Sequence, residues 1–282
     1  MLLNYSESKP LPALANHIEC FWFASSQEPP ASEPERILPD GCLEWIFHLG
    51  PPFRRLNRAQ LWELQPLSFV VGELTRFILL RPTGPVATMG VRFRPGGAYR
   101  FLPFPVHNLT DGFVSTGDIW GRAGKLVEEV VIEARSNQER QQRVEAFLLN
   151  RLMESEPQRR FDAAMGALML ARGRTPVNQI AAAIGCSPRQ LEREFRAHAG
   201  LSPKALARVI RFQNLLWLVG ESALRHWSSV ALDSGYADQS HMVREFRELT
   251  GQSPTERDAS PAGALSSYFV SPQRLADLLG SS

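Results

Sequence analysis

The sequence predicts an α+β chain: a β-rich mixed front domain, then an all-α domain holding a duplicated helix–turn–helix. Three observations carry this expectation. The first hundred or so residues alternate in polarity between turn signals, as half-buried strands do. From Asp118 the apolar period lengthens to that of helices. A segment opening at Ile180 then returns, nearly copied, at Val230.

The strands come first. "CLEWIFHLG" follows the turn signal "PDG" and alternates Leu43, Trp45, Phe47 and Leu49 with Glu44 and His48. "VATMGVRFRPGG" sets Met89, Val91 and Phe93 on one face and Gly90, Arg92 and Arg94 on the other. "DIWGRAGKLVEEVVIEARS" and "NQERQQRVEAFLLNRLM" carry helical spacing, and "ESEPQRR" breaks it with a proline and polar residues. The expected division is therefore 1–155 for the front domain, ending in helices, 156–258 for the helical domain, and 259–282 for a small-residue-rich tail. Within that tail "PQRLADLL" suits a terminal helical turn or two.

Composition bounds the function. The chain has 282 residues, 44% hydrophobic and 21% charged, which fits two globular domains and not a disordered chain. No apolar run approaches a membrane span, and the N-terminus has no signal-type segment, so a cytoplasmic protein without membrane contact is expected. Cys20, Cys42 and Cys186 have no CxxC spacing and read as reduced thiols. Net charge is only +2, but residues 158–258 hold 14 basic against 10 acidic residues, and the remainder 17 against 19. That asymmetry permits a polyanion partner without announcing one.

The repeat is more specific. "IAAAIGCSPRQLEREFRAHAGLSP" aligns with "VALDSGYADQSHMVREFRELTGQSP", each running Ala-x3-Gly, then a helix ending in Glu-Phe-Arg or a near match, then Gly-x-Ser-Pro. In the first copy Thr175 is a candidate cap with Pro176 at the first helical position, and Ile180, Ala181 and Ile184 face the core. Gly185 permits a left-handed turn, after which Ser187, Pro188 and Gln190 form a second helix start with a capping box. Leu191 and Phe195 anchor that helix, leaving Arg189, Gln190, Glu192, Arg193 and Arg196 on its outer faces. In the second copy Met242, Phe246 and Leu249 form the apolar stripe, and Gln239, Ser240, His241 and Arg244 take the outer positions. Arginine and glutamine suit base edges, pairing bidentately with guanine and adenine in the major groove. One face would hold the helix and the other would read double-stranded DNA.

These motifs resemble the DNA-binding domain of the AraC/XylS family of bacterial transcription regulators, over about Phe161 to Arg257. The resemblance implies two helix–turn–helix units joined by a long helix, here "SPKALARVIRFQNLLWLV". Arg211 keeps part of that helix's usual pattern, while Asn214 and Leu215 stand where a small residue is usual. The family's base contacts map to Arg189, Glu192 and Arg193, and to Gln239, Ser240 and Arg244. Glutamate at 192 departs from the commoner Gln, Lys or Arg; it can accept from cytosine or pair with Arg189 or Arg196. Lys204, Arg208 and Arg247 are candidate backbone contacts. "LPDGCLEWIFHLG", "GVRFRPGG" and "HNLTDGFV" resemble the front domain of a subgroup of these regulators. The implied function is transcription regulation at a promoter or operator, controlled by a small-molecule effector, with RNA polymerase and a second copy of the chain as further partners.

Other constellations are weak. Six histidines show no metal-ligand spacing, and no catalytic motif, metal site or cofactor site is expected. Arg92 and Arg94 are candidates for an anionic effector, against the commoner reading of a solvated strand face. Trp22, Trp45 and Phe47 are candidates for the floor of an apolar pocket, against core packing. Two rival functions stay open for the front domain: cysteine alkyl transfer, which needs an activated Cys20 or Cys42, and protein-partner binding. A cavity favours a sensor, and a flat apolar patch favours a partner.

Overall fold

The computed structural model describes residues 3–27, 33–153, 156–220 and 227–259. The tail 260–282 lies outside them. Among the described residues the front region carries ten strands: β1 Asn4–Ser8, β2 Ile18–Ser26, β3 Glu35–Ile37, β4 Glu44–His48, β5 Arg54–Leu56, β6 Trp62–Leu64, β7 Ser68–Val71, β8 Ile78–Arg81, β9 Val86–Phe93 and β10 Phe113–Ser115. They form a six-stranded antiparallel sheet, β1-β2-β9-β4-β7-β10, and a four-stranded one, β3-β8-β5-β6. Helices α1 Thr116–Glu133 and α2 Asn137–Met153 follow.

The large sheet is covered on both faces. Trp45, Phe47, Met89, Val91 and Phe93 share one cluster with Trp120, Val127 and Val144 of α1 and α2. Trp22, Ile46, Phe53 and Phe69 form a second cluster, with Ile37 and Leu80 of the small sheet packed against it. A central strand with two covered faces has no solvated side. The expected solvated face of Arg92 is therefore corrected. Arg92 is fully buried, pairs across the sheet with Glu44 and donates to its Oε1 at 2.7 Å. Gly90 lies opposite Trp22, and a Cβ on Gly90 would sit 2.1 Å from the indole, so only glycine lets that ring lie flat on the sheet.

The helical region contains α3 Arg159–Leu170, α4 Val177–Ala183, α5 Pro188–Ala199, α6 Pro203–Gly220, α7 Trp227–Asp233, α8 Gln239–Thr250 and α9 Pro254–Ala259. One core serves all of it. Phe195, Phe212 and Phe246 are fully buried there, together with Ile180, Ala181, Leu191, Met242 and Leu249. Leu38 of the front region joins the same cluster.

Candidate nucleic-acid interface

In the first unit α4 and α5 meet across Gly185, whose φ of 68° is the left-handed turn its position requires. The start of α4 differs from expectation: Pro176 is the N-cap, and Thr175 makes no capping bond. The start of α5 is as the sequence implies. Ser187 Oγ accepts from Gln190 N, and Gln190 Oε1 accepts from Ser187 N at 2.9 Å, closing the capping box. Arg189, Gln190, Glu192, Arg193 and Arg196 are all exposed and together line one shallow concavity with Ser187. Gln190's carbonyl is thus committed to the cap, leaving its amide N–H groups for a ligand. Glu192 pairs with Arg196 at 3.2 Å, one turn away.

The second unit repeats the scheme with other residues. Asp238 caps α8, its Oδ1 accepting from His241 N at 2.7 Å. Gln239, Ser240, Arg244 and Arg247 are exposed and line a second shallow concavity with Val243 and Glu248. His241 is set apart from them. It is half-buried, with Nε2 3.3 Å from Glu245 and its ring edge-on to Tyr236.

Glu245 lies at the centre of the joint between α6 and α8. Arg208 Nε reaches it at 3.4 Å and Arg211 Nη2 at 3.5 Å, while Arg211 Nη1 donates to Gly173 O at 3.0 Å. Arg211 thereby ties the turn before α4 to the second unit. Arg208 also bonds Glu248, so this candidate backbone contact is engaged within the fold, whereas Lys204 and Arg247 are exposed. Asn214 is buried where a small residue was expected, and its Oδ1 accepts from Arg172 Nη1 at 3.3 Å.

The front region grips both units at the C-terminal ends of α5 and α8, where helix carbonyls lack intrahelical donors. Thr110 Oγ1 donates to Gly200 O at 2.7 Å. Phe77 N donates to Leu249 O at 2.8 Å, and Arg36 Nη1 to Thr250 O at 2.6 Å. Gln213, buried midway along α6, donates to Pro39 O at 2.5 Å. Sequence reasoning missed these contacts. The available signal was Gln213 itself, a polar residue at a helix position surrounded by apolar ones.

The front-domain candidates separate. Trp22 borders a cavity between the two sheets, with space of about 80 Å³. Trp45 lies on the opposite face of the large sheet, packed on Phe47 and Trp120. Arg94 lies beyond β9 and donates to Ala15 O at 2.9 Å. Cys20 and Cys42 are buried, and burial pushes the Cys20 thiol up to about 12, far from a reactive thiolate.

Residues 6–115 match the family model of a domain of unknown function, DUF6597, and residues 180–258 match that of a helix-turn-helix domain. No curated protein matches the sequence significantly. Among solved structures, ToxT from Vibrio cholerae at 1.65 Å is 11% identical, with a TM-score of 0.47 over 84% of this chain and 97% of that one. ToxT from Vibrio cholerae O395 bound to (E)-4-(8-methylnaphthalen-1-yl)but-3-enoic acid is also 11% identical, with a TM-score of 0.46 over 90% and 97% of the two chains. No helix among the described residues is long and apolar enough to cross a membrane. The duplicated unit, its two outward polar helix faces and the matched family model together identify an α+β chain with a C-terminal AraC-type helix-turn-helix domain, that of a DNA-binding regulator.

Proposed function

We propose that this chain is a cytoplasmic, sequence-specific transcription regulator whose α5 and α8 enter successive major-groove segments, under control of a small effector held in the front domain. One observation carries the reading. Phe195 and Phe246, at equivalent places in the repeat, anchor α5 and α8 in a single core, while each helix turns an exposed polar face outward. Base reading then falls to Arg189, Glu192, Arg193 and Arg196 in the first unit, with the free amide of Gln190. In the second it falls to Gln239, Ser240 and Arg244, with His241 supporting from behind. Lys204 and Arg247 touch phosphates. The buried thiols weigh against alkyl transfer, and the cavity between the two sheets favours a sensor over a protein-docking face. Contact with RNA polymerase and pairing with a second copy belong to the same proposal.

The two outward faces differ in chemistry, so one monomer should cover about 20 base pairs with two unlike boxes about 10 base pairs apart. Selection from random duplexes followed by footprinting tests this. A single protected box, or two identical ones, would show that the units do not both read DNA. Affinity should also fall steeply with salt as bound counterions are released. A folded chain whose operator affinity is as high at 300 mM as at 50 mM salt would contradict that.

A further inference from the structure

We infer that the cavity between the two front-domain sheets takes a small neutral molecule, mostly apolar and carrying one hydroxyl-type group. This rests on the effector reading above and names the effector's chemical class. Most of the wall is hydrocarbon, supplied by Trp22, Ile46, Phe53, Phe69 and Leu80 among others. Asp40, Glu44, His48, Gln65 and Thr88 are its polar and charged members. His48 and Thr88 stand directly opposite each other on β4 and β9, and neither His48 Nδ1 nor Thr88 Oγ1 has a hydrogen-bond partner among the described residues. His48 Nε2 faces Gln65 Oε1 at 3.3 Å. A carbonyl oxygen only accepts, so the ring proton sits on Nε2 and Nδ1 offers a lone pair. Burial keeps this imidazole neutral, its pKa pulled down to about 4. A hydroxyl donates to Nδ1 and accepts from Thr88 in the same pose, which neither a hydrocarbon nor a carboxylate does.

Charge narrows the class further. Among the described residues the cavity wall contains no Lys or Arg, and its two carboxylates are Asp40 and Glu44. An anion entering here would lose its water and meet like charge. A cation finds little better, because Glu44 already holds the buried Arg92 at 2.7 Å and Asp40 Oδ1 already accepts from Cys42 N at 3.0 Å. Size has a consequence. About 80 Å³ is roughly half the ~150 Å³ that admits a benzene ring. A ring-sized occupant must therefore displace wall. The β2, β4, β7 and β9 walls are paired strands of one sheet, and the connecting segment from Leu38 to Cys42 is among the wall parts outside them. That segment also carries Pro39, the acceptor for Gln213 on α6.

The test uses the full chain and one ring carrying different groups: benzyl alcohol, benzoate, benzylammonium and toluene, titrated by calorimetry and tryptophan fluorescence. Benzyl alcohol should bind at least tenfold more tightly than either charged analogue. Thr88→Val should weaken benzyl alcohol several-fold and leave toluene unchanged, so that the preference between those two narrows. Equal or tighter binding of benzoate or benzylammonium overturns the assignment. So does the absence of saturable binding by any probe below about 20 mM. Both results come from the native chain and stand even if the variant does not fold. Footprinting of the ligand-free chain on a selected operator runs in parallel. An intact footprint with no ligand binding defeats this inference alone, while a missing footprint defeats the regulator reading.

Discussion

The two helix–turn–helix units share a sequence plan but are held differently by the rest of the molecule. The first rests on the helix-bearing side of the front region, where Tyr99 packs edge-on to both Phe161 and His198 and Thr110 reaches Gly200. The second rests beside β3 and β8 of the small sheet, where Arg36 lies over the Phe77 ring at 4.1 Å while both groups bond the end of α8. Inside the second unit Glu245 gathers Arg208, Arg211 and His241. In the first, the corresponding glutamate, Glu194, pairs outward with Arg160 on α3. Duplication thus preserved the anchors and the turns, while the polar joints diverged with the neighbours each copy acquired. Leu38, which lines the cavity, packs in the core that both units share.

The largest expected effect tests what the units have in common. Phe195→Ala and Phe246→Ala should each cost about 3–5 kcal/mol of stability, since both rings are fully buried in one core. Denaturant unfolding measures this. A cost below about 1 kcal/mol at either position would mean that one copy does not share the core.

Acid should separate the regions next. Burial holds His48 near 4, below the 6.5 of a free imidazole, and burial also lowers the pKa of His198 at the contact with the first unit. As pH falls below 6.5 the unfolded chain takes up these protons before the folded one does. The stabilisation is complete above pH 6.5 and is lost as pH drops towards 4, by about 3 kcal/mol for His48 alone. His48→Gln should flatten the fall in stability between pH 6.5 and 4.5. An unchanged slope in that variant would remove His48 as its source.

The architecture and both polar helix faces were legible because helical period, caps and turn glycines are local properties of sequence. Ser187, Gln190 and Gly185 could be placed from spacing alone. Arg92 could not. Alternation distinguishes the two faces of a strand but does not say that a second sheet covers the polar one, and β3 and β8 are too distant in sequence to signal it. For the same reason Glu44 and His48 read as surface residues although they line the cavity. His241 fell on the outer arc by helical arithmetic, and only the position of Glu245 beneath it turns it inward. The contacts of Arg36, Thr110 and Gln213 join residues 214, 90 and 174 positions apart in sequence. No local pattern encodes such pairs.

On DNA the comparison becomes positional. Arg193→Ala and Arg244→Ala should each weaken specific binding by about 1–3 kcal/mol and relax preference at one or two base pairs. Each loss should fall in a different box. Selection with the two variants checks this, and relaxation in the same box for both would mean that one arginine touches only phosphate.

The helix starts give the smallest and most discriminating difference. Ser187 works in a reciprocal pair: its hydroxyl accepts from Gln190 N, and Gln190 Oε1 accepts from Ser187 N. Asp238 acts alone, accepting from His241 N at 2.7 Å, with a charge favourable to the helix N-terminus. Ser187→Ala should remove the hydroxyl's bonds to Gln190 N and Gln190 Oε1, at a cost of about 1 kcal/mol, and leave Gln190 Oε1 held only by the backbone N–H of residue 187. Held by one bond instead of two, that side chain turns more readily to an adenine edge. Preference at the neighbouring base pair should change along with stability. Asp238→Asn keeps an acceptor and a good cap, so it should cost only a few tenths of a kcal/mol and leave base preference in the second box unaltered. Unfolding curves and randomised-site selection on the same two proteins measure both quantities. Equal shifts in base preference for the two variants would show that the cap and the reading face are no more coupled in the first unit than in the second.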